Sequence, residues 1–386
     1  MKKLKVLVIP TTYPSKHEPL RGIFFKKQSE ALAKYLDIAV LDFDLLSLKN
    51  LKNYSNIKKY SYEIENNVKT FHFREFNYGL KFKNIVNSLY KIHIYKCFEK
   101  VISEFGMPDI IHAHSTFFGG YLAYLISEKY NIPYVVTEHF SFFKNLVDTN
   151  PEICKNVFRN ASEYMAVGNV LKDEVEKYSG RSCSVVPNYV DLTSIKSSSV
   201  IDAIKNNGKF NIINISLLKD IKNIPLIINA LDKLIHTYNI NNIHFHLIGD
   251  GPSKSSIENL ITKLNLNDYC TLYGMKSNDE ISSYLKSCNC LVISSKKETF
   301  CVSGIEAMSC GLPVISTKCG GPETYVNSST GILVENNDIN SMAEGILNIM
   351  KNYNSYNADD ISLFAEKNFS EQVITSKLIK KYNQYV

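Results

Sequence analysis

Short, near-continuous apolar runs recur along the chain, each bounded by turn residues and followed by a stretch with helical spacing. Such runs are what parallel strands covered on both faces look like. In the first half they predict strands at KVLVIP (5–10), IAVLDF (38–43), KTFHF (69–73), DIIHA (109–113), PYVVT (133–137), EYMAV (163–167) and CSVVP (183–187). The alternation restarts with FNIINI (210–215), IHFHLI (243–248), CTLY (270–273), CLVIS (290–294), PVIS (313–316) and GILV (331–334). Helical periodicity fills the gaps, as in FFKKQSEALAKYL. Residues 81–105 predict a long amphipathic helix, with Phe82, Ile85, Val86, Leu89, Ile92, Val101 and Ile102 on one face and Lys81, Lys83, Lys91, Lys96 and Lys100 around it. Residues 192–209 are rich in Ser, Lys and Asn and poor in core residues, which reads as a linker. The pattern therefore predicts two doubly wound α/β domains, 1–191 and 210–369, and a closing helix over about 370–386.

The length of 386 residues suits two such domains better than one core. With 45% hydrophobic and 21% charged residues the composition is that of a globular protein, and no apolar run reaches the ~18 residues a membrane span needs. The first residues carry lysines and then an apolar stretch, but Lys5 interrupts it and no small-residue cleavage site follows. The expectation is a first buried strand and a cytoplasmic protein. Nine cysteines without paired metal spacing read as reduced thiols. Charge is uneven. Residues 1–190 hold 26 Lys and Arg against 19 Asp and Glu, a net +7, and the remainder 18 against 19, a net −1. A basic first half suggests an anionic partner there, such as a phosphorylated lipid or a membrane surface. No nucleic-acid-binding module is present in the sequence, so nucleic acid is not expected.

The densest chemistry lies at ETFCVSGIEAMSCGLPVISTKCGGPE (298–323). Glu298 falls in the loop after one expected strand and Glu306 in the helix that follows. This is where open α/β sheets bind ligands. Amides near Phe300, Cys301, Val302 and Ser303 would stand at a helix N-terminus, suited to an anion or hydroxyl oxygens. Carboxylates beside such amides suit a polyol carrying phosphate, although a solvated loop with a favourable N-terminal glutamate is equally compatible with the spacing alone. Asp42 and Asp44 form a D-x-D in which a divalent cation or isolated strand-end acids are both conceivable, the latter preferred. His112, His114 and His139 would need to converge to hold a metal; packed strand-end histidines are the plainer reading.

The run Glu298–Glu306, Gly311, Pro313-Val314, Gly320-Gly321 and Glu323 resembles the E-x7-E motif of retaining GT-B glycosyltransferases, most closely glycosyltransferase family 4. The resemblance implies a GT-B fold, two Rossmann-like domains facing each other across a cleft, with the closing helix returning to the first domain. It implies a nucleotide diphosphate sugar donor, UDP- or GDP-linked, a glycan or lipid-linked acceptor, and no metal cofactor. Carried over residue by residue, Glu306 would accept from ribose hydroxyls, Glu298 from donor-sugar hydroxyls, and the 300–303 amides would orient the sugar. Lys222, with Lys219 and Arg21 in support, would neutralise the diphosphate. Gly22, matching a G-x-F-x-x-x-Q pattern with Phe24 and Gln28, would let backbone approach the donor. Met275 would lie near the base, and His139 near the donor sugar or acceptor. Two positions depart from the pattern: Leu217 stands where an arginine is usual and Cys301 where a glycine is. Tyr189 likewise replaces the glycine of a P-N-G-V-D element. The setting implied is cell-surface polysaccharide or glycolipid assembly, with possible peripheral contact between the basic helix and the inner membrane face. Two other readings compete: a non-catalytic sugar-nucleotide-binding protein, and another GT-B enzyme such as a sugar-nucleotide epimerase or phosphorylase.

Overall fold

The computed structural model describes residues 3–15, 18, 21–47, 58–77, 83–192 and 198–386, with the side chains of 47 and 83–87 left aside. Two compact units emerge. The first comprises 1–167, 171–186 and 375–386, and the second 168–170 and 187–374.

The first unit is built on eight strands: β1 (Lys5–Ile9), β2 (Asp37–Ser47), β3 (Tyr60–Glu65), β4 (Val68–Asn77), β5 (Ile110–His114), β6 (Tyr134–Glu138), β7 (Glu163–Ala166) and β8 (Cys183–Val185). Their order is β3-β4-β2-β1-β5-β6-β7-β8, parallel except where β3 pairs antiparallel with β4. The chain winds outward from β1 through β2 and β4, then returns to the other side of β1 with β5, so the winding reverses between β1 and β5. The second unit holds β9 (Phe210–Ile215), β10 (Ile243–Ile248), β11 (Cys270–Leu272), β12 (Cys290–Ile293), β13 (Val314–Thr317) and β14 (Gly331–Val334), all parallel in the order β11-β10-β9-β12-β13-β14. Here the reversal falls between β9 and β12. Each expected strand is present within a few residues, because strands buried on both faces advertise themselves by unbroken apolar runs.

Two local readings need correction. β3 was absent from the sequence expectation. Its residues YSYEIE alternate, and it closes a hairpin through Asn66 and Asn67, both at positive φ (49° and 63°), as a two-residue mirror-image turn requires. The long helix spans Lys83–Phe105, but its buried stripe is Ile94, Cys97, Phe98, Val101 and Phe105; Ile92 is 65% exposed. The spacing 94, 97, 98, 101, 105 is the true helical face, and Ile92 belongs to the opposite one. Lys81 and Phe82, and the side chains of Lys83, Ile85 and Val86, lie outside the described residues. Two carbonyls at the helix end are tied down: the Lys5 ammonium donates to Phe105 O at 2.7 Å and that of Lys69 to Glu104 O at 3.2 Å.

Residues 198–209, read from composition as linker, pack on the second unit: Ser287 Oγ accepts from the Ile201 amide at 2.8 Å and Ile204 is buried. The helix Glu371–Tyr382 ends within the first unit, where the Tyr382 hydroxyl lies 2.7 Å from His112 Nδ1 and Lys381 bonds Glu163 at 2.5 Å. No helix among the described residues is long and apolar enough to cross a membrane.

Candidate functional site

In the second unit the reversal between β9 and β12 places two loops side by side at the carboxyl ends of the strands, the crevice in which such sheets bind ligands. After β9 the chain makes a short turn over Asp220–Lys222, and Asn223 at φ 49° then starts the helix Ile224–Asp232 with Pro225 in its first turn. After β12 come Ser294 to Cys301. The loops are stitched together: Ser294 Oγ donates to Lys222 O at 2.8 Å, and the Lys296 amide to Ile221 O at 2.8 Å. The Lys222 ammonium and Glu298 Oε1 meet at 2.5 Å, with side chains 25% and 13% exposed. Ser295 Oγ donates to the same oxygen at 2.6 Å. Glu298 Oε2 has no hydrogen-bond partner among the described residues, so its lone pairs remain available to a hydroxyl. Burial works against the Lys222 charge, but the Glu298 carboxylate outweighs it and holds its pKa above the ordinary lysine value.

Two glycines let a third loop back this one. A Cβ on Gly320, at φ 112°, would lie 2.7 Å from Glu298 O, and one on Gly321 would lie 2.5 Å from the Phe300 amide nitrogen. Only glycine allows that approach. The Glu298 amide donates to Cys319 O at 2.7 Å, and the Glu323 carboxylate accepts from the Gly320 amide at 2.8 and 2.9 Å. The Phe300 ring is buried against Tyr325 and Phe369, so Phe300 offers a ligand backbone only; its side chain anchors the loop. Cys301 sits at φ 66°, the left-handed region, immediately before the helix Val302–Ser309. Its carbonyl accepts from the Tyr325 hydroxyl at 2.9 Å, and its thiol, desolvated, has its pKa pushed up to about 11. The first-turn amides of Val302 and Ser303 have no acceptor inside the helix, as at any helix start. Glu306 follows one turn on, partly exposed.

The remaining second-unit candidates are more exposed. Lys219 is exposed, Leu217 is 51% exposed and Met275, in the loop after β11, is 53% exposed. The G-D-G-P turn after β10 presses on the loop after β9: a Cβ on Gly249 would fall 1.8 Å from Ser216 O. The Leu218 amide donates to Asp250 O at 2.9 Å. Ser295, which shares Glu298 Oε1 with Lys222, and Tyr325 were not singled out from the sequence. The first is signalled only by standing at the end of an apolar run.

In the first unit the reversal lies between β1 and β5. Gly22, at φ 70°, precedes the helix Ile23–Ala33, and a Cβ there would lie 2.3 Å from Thr12 O, so the turn folds onto the end of β1. Thr11 Oγ1 donates to His114 O at 3.0 Å. His114 Nδ1 and His139 Nε2 are 3.0 Å apart, an imidazole pair in which one ring must donate to the other. His112 faces elsewhere, between the Thr137 hydroxyl (2.8 Å) and Tyr382. Among the described residues no group of three or more His, Cys, Asp or Glu is arranged to hold a metal ion. Burial pushes the pKa of His112 and of His139 down to about 3 and that of His114 well below normal, so all three are neutral near pH 7. His139 Nδ1 is buried without a partner among the described residues. Glu138, which the sequence did not single out, fixes the loop beyond β6. Its buried carboxylate accepts from the amides of Thr116 (2.9 Å), His139 and Phe140 (2.8 Å each) and from the Thr116 hydroxyl (2.7 Å).

Arg21 pairs at 3.0 Å with the exposed Glu18. Asp42 of the D-x-D is engaged by Arg74 and, at 2.8 Å, by His72. Burial raises the pKa of Asp44, against the pull of Arg74.

Comparison with known proteins bears on both units. The model of "Glycosyl transferases group 1" matches residues 200–360 and that of "Glycosyltransferase Family 4" residues 66–194. An uncharacterised glycosyltransferase of Methanocaldococcus jannaschii is 29% identical over 76% of this chain and 78% of its own. The putative teichuronic acid biosynthesis glycosyltransferase TuaC of Bacillus subtilis is 26% identical over 89% and 88%. Among solved structures, Anabaena HepE in complex with UDP superposes with a TM-score of 0.76 at 16% identity, covering 99% of this chain and all of that one.

Proposed function

Since the chain belongs to glycosyltransferase family 4 and has the GT-B fold, we propose that it transfers a hexose, with retention, from a nucleotide diphosphate sugar to a glycan or lipid-linked acceptor in cell-surface polysaccharide or glycolipid assembly. The observation that carries this reading is the Lys222–Glu298 pair at the β9/β12 reversal, set just before the start of the helix Val302–Ser309. A cation and a helix N-terminus together stabilise an anion that develops as the sugar–phosphate bond breaks. In the proposed step Lys222 and the Val302 and Ser303 amides receive the leaving diphosphate. Glu298, through Oε2, holds a donor-sugar hydroxyl, and Glu306 holds the ribose. Glu298 already carries Lys222 and Ser295, so it positions rather than attacks; the acceptor hydroxyl bonds to the anomeric carbon on the face the diphosphate leaves, the sugar–phosphate bond breaks, and the hydroxyl proton passes to the departing phosphate oxygen. In the first unit Gly22 holds the turn before its helix against the end of β1, and His139 stands at the acceptor side. The UDP bound in Anabaena HepE and the teichuronic acid pathway of TuaC support a uridine-linked donor and a cell-surface product.

Thermal stabilisation by UDP, GDP, ADP and their sugar conjugates, with and without EDTA, tests the donor. A ligand at about 100 times its Kd stabilises by roughly 2.7 kcal/mol, a shift of several degrees for a unit this size. One base should stand out, and EDTA should not matter. A shift by none refutes the reading. The exposed Leu217 favours a second reading, a sugar-nucleotide-binding protein without turnover, because no guanidinium grips the diphosphate there. Binding with no transfer to any acceptor would select it.

A further inference from the structure

We propose that the seam between the helices Lys83–Phe105 and Tyr121–Tyr130 is a platform for an oligosaccharide, holding sugar units of the acceptor beyond the one that reacts. The proposal rests on the transferase reading above and narrows its acceptor to a chain of sugars. Tyr90, Tyr95, Tyr121, Tyr124 and Tyr130 stand on these two helices. The helices are 23 and 10 residues long, so five of 33 positions are tyrosine against 24 of 386 in the chain. The seam is thus more than twice as rich in tyrosine as the protein, and all five are partly exposed. Tyr90 meets Tyr121 edge to face at 6.3 Å, and Tyr121 and Tyr124 lie nearly parallel (23°) with centroids 6.5 Å apart. Tyr95 and Glu128 add to burial in raising the pKa of Tyr121, so both helices contribute to one surface. The Lys129 ammonium, 4.6 Å from the centre of Tyr95 and 4.9 Å from that of Tyr130, closes the far end. From Tyr121 to Tyr130 the helical rise gives about 13 Å, room for more than one sugar ring.

The residue type selects the occupant. A tyrosine offers an apolar face to the C–H face of a pyranose and a phenol to its hydroxyls. The Tyr124 phenol donates to Glu128 Oε1 at 2.9 Å, which holds that ring in place. The charges of the seam cancel: Lys91 pairs with Glu128 at 4.0 Å and Lys129 with Glu99 at 3.7 Å. A neutral polyol fits such a surface better than an anionic membrane or nucleic acid. Exposed pairs of this kind contribute little stability, so they can exchange partners with sugar hydroxyls at small cost. The seam also leads to the acceptor side. The helix Tyr121–Tyr130 follows β5 through the turn Ser115–Gly120, so Tyr121 stands at the carboxyl edge of the sheet. There Tyr90 packs on Phe43 at 5.8 Å, and burial, with Asp44 next, pushes its pKa up to about 12. The Asp44 carboxyl has no hydrogen-bond partner among the described residues, which leaves it able to accept from a sugar hydroxyl.

The chain contains no tryptophan, so Tyr124→Trp in the full-length protein supplies a single reporter that keeps an aromatic ring on the seam. Maltohexaose, cellohexaose and chitohexaose are the probes. At least one should change the emission saturably and bind at least tenfold more tightly than its own monosaccharide. Adding Tyr90→Ala and Tyr121→Ala should weaken that affinity at least tenfold, whereas Tyr121→Phe, which keeps the ring, should hold it within threefold. The nucleotide-induced shift in melting temperature should be the same in all variants, which shows that they are folded. No saturable response to any of the three hexasaccharides, an affinity no better than the monosaccharide's, or indifference to the two alanines would overturn the proposal. So would self-association that the alanine variant loses without any response to sugar, which would make the seam a subunit contact. Hexasaccharide binding in a protein that no nucleotide stabilises would leave the platform standing and remove the transferase reading. Nucleotide stabilisation without hexasaccharide binding would remove the platform alone.

Discussion

Replacing Glu298 by glutamine should weaken the fold and yet strengthen the grip on a nucleoside diphosphate. Lys222 is neutralised by Glu298 at 2.5 Å, and Ser295 donates to the same oxygen. Glutamine keeps an acceptor at that place but removes the charge. A charge-assisted hydrogen bond contributes roughly twice a neutral one, so the loss is about 1–2 kcal/mol. It stays below the ~3–5 kcal/mol of breaking a fully buried pair, because the Lys222 side chain keeps 25% of its exposure to water. For a unit of this size that corresponds to a fall in Tm of roughly 2–8 °C. The diphosphate and the carboxylate compete for the same ammonium, so UDP or the preferred nucleotide should raise the variant's Tm by more than it raises the wild type's. Transfer should nevertheless fall about a hundredfold, because the donor-sugar hydroxyl loses its acceptor. The pH dependence carries a sign. The folded-state pKa of Lys222 is raised, so the pair's contribution is fully present below the unfolded lysine value near ~10.4 and fades as pH climbs through the folded one. The Tm gap between wild type and variant should thus hold from pH 7 to 9 and shrink only as pH rises past the unfolded lysine value toward the raised folded one. Differential scanning fluorimetry with and without nucleotide measures all of this. An unchanged Tm, or a smaller nucleotide shift in the variant, would refute the reasoning.

Gly321→Ala forces a Cβ to within 2.5 Å of the Phe300 amide and should displace the Glu298–Cys301 loop. Nucleotide affinity measured by calorimetry should drop tenfold or more, although Gly321 is assigned no ligand contact, and unaltered affinity would show that the loop does not depend on its backing. Cys301 at φ 66° should rank substitutions by tolerance of the left-handed region, with Gly at least as stable as Cys and Val less stable by about 1–2 kcal/mol; a reversed order in chemical denaturation would argue against strain there. The depressed pKa values of His112 and His139 mean that the unfolded chain binds protons these sites refuse. Stability should be complete above the unfolded value near ~6.5 and decline as pH falls from there toward about 3, a loss a melting series across pH 7 to 4 would show, and a flat profile would contradict. Tyr382→Phe strips His112 Nδ1 of its 2.7 Å partner in the core and should cost about 1–3 kcal/mol by denaturant titration, which a loss under 0.5 kcal/mol would contradict.

The amino-acid order alone determined the two parallel sheets, because strands buried on both faces must be apolar throughout and so leave runs such as FNIINI and CLVIS in plain view. It also placed glycines and carboxylates together in one contiguous segment, Glu298–Glu323. Where only one face or one edge is buried, the pattern thinned: YSYEIE, an edge strand largely open to water, went unread, and the stripe of the long helix was placed on Ile92 instead of Ile94. Other features were decided by tertiary structure because they join residues distant in sequence. Lys222 and Glu298 are 76 positions apart and meet only because β9 and β12 are neighbours at the winding reversal. His114 and His139 pair because β5 lies beside β6, and Tyr382 reaches His112 across 270 residues. Sequence period reports which face of an element is dry. Which elements then stand side by side, and so which charges share a site, follows from the order of strands in the sheet, which the period of any one element does not encode.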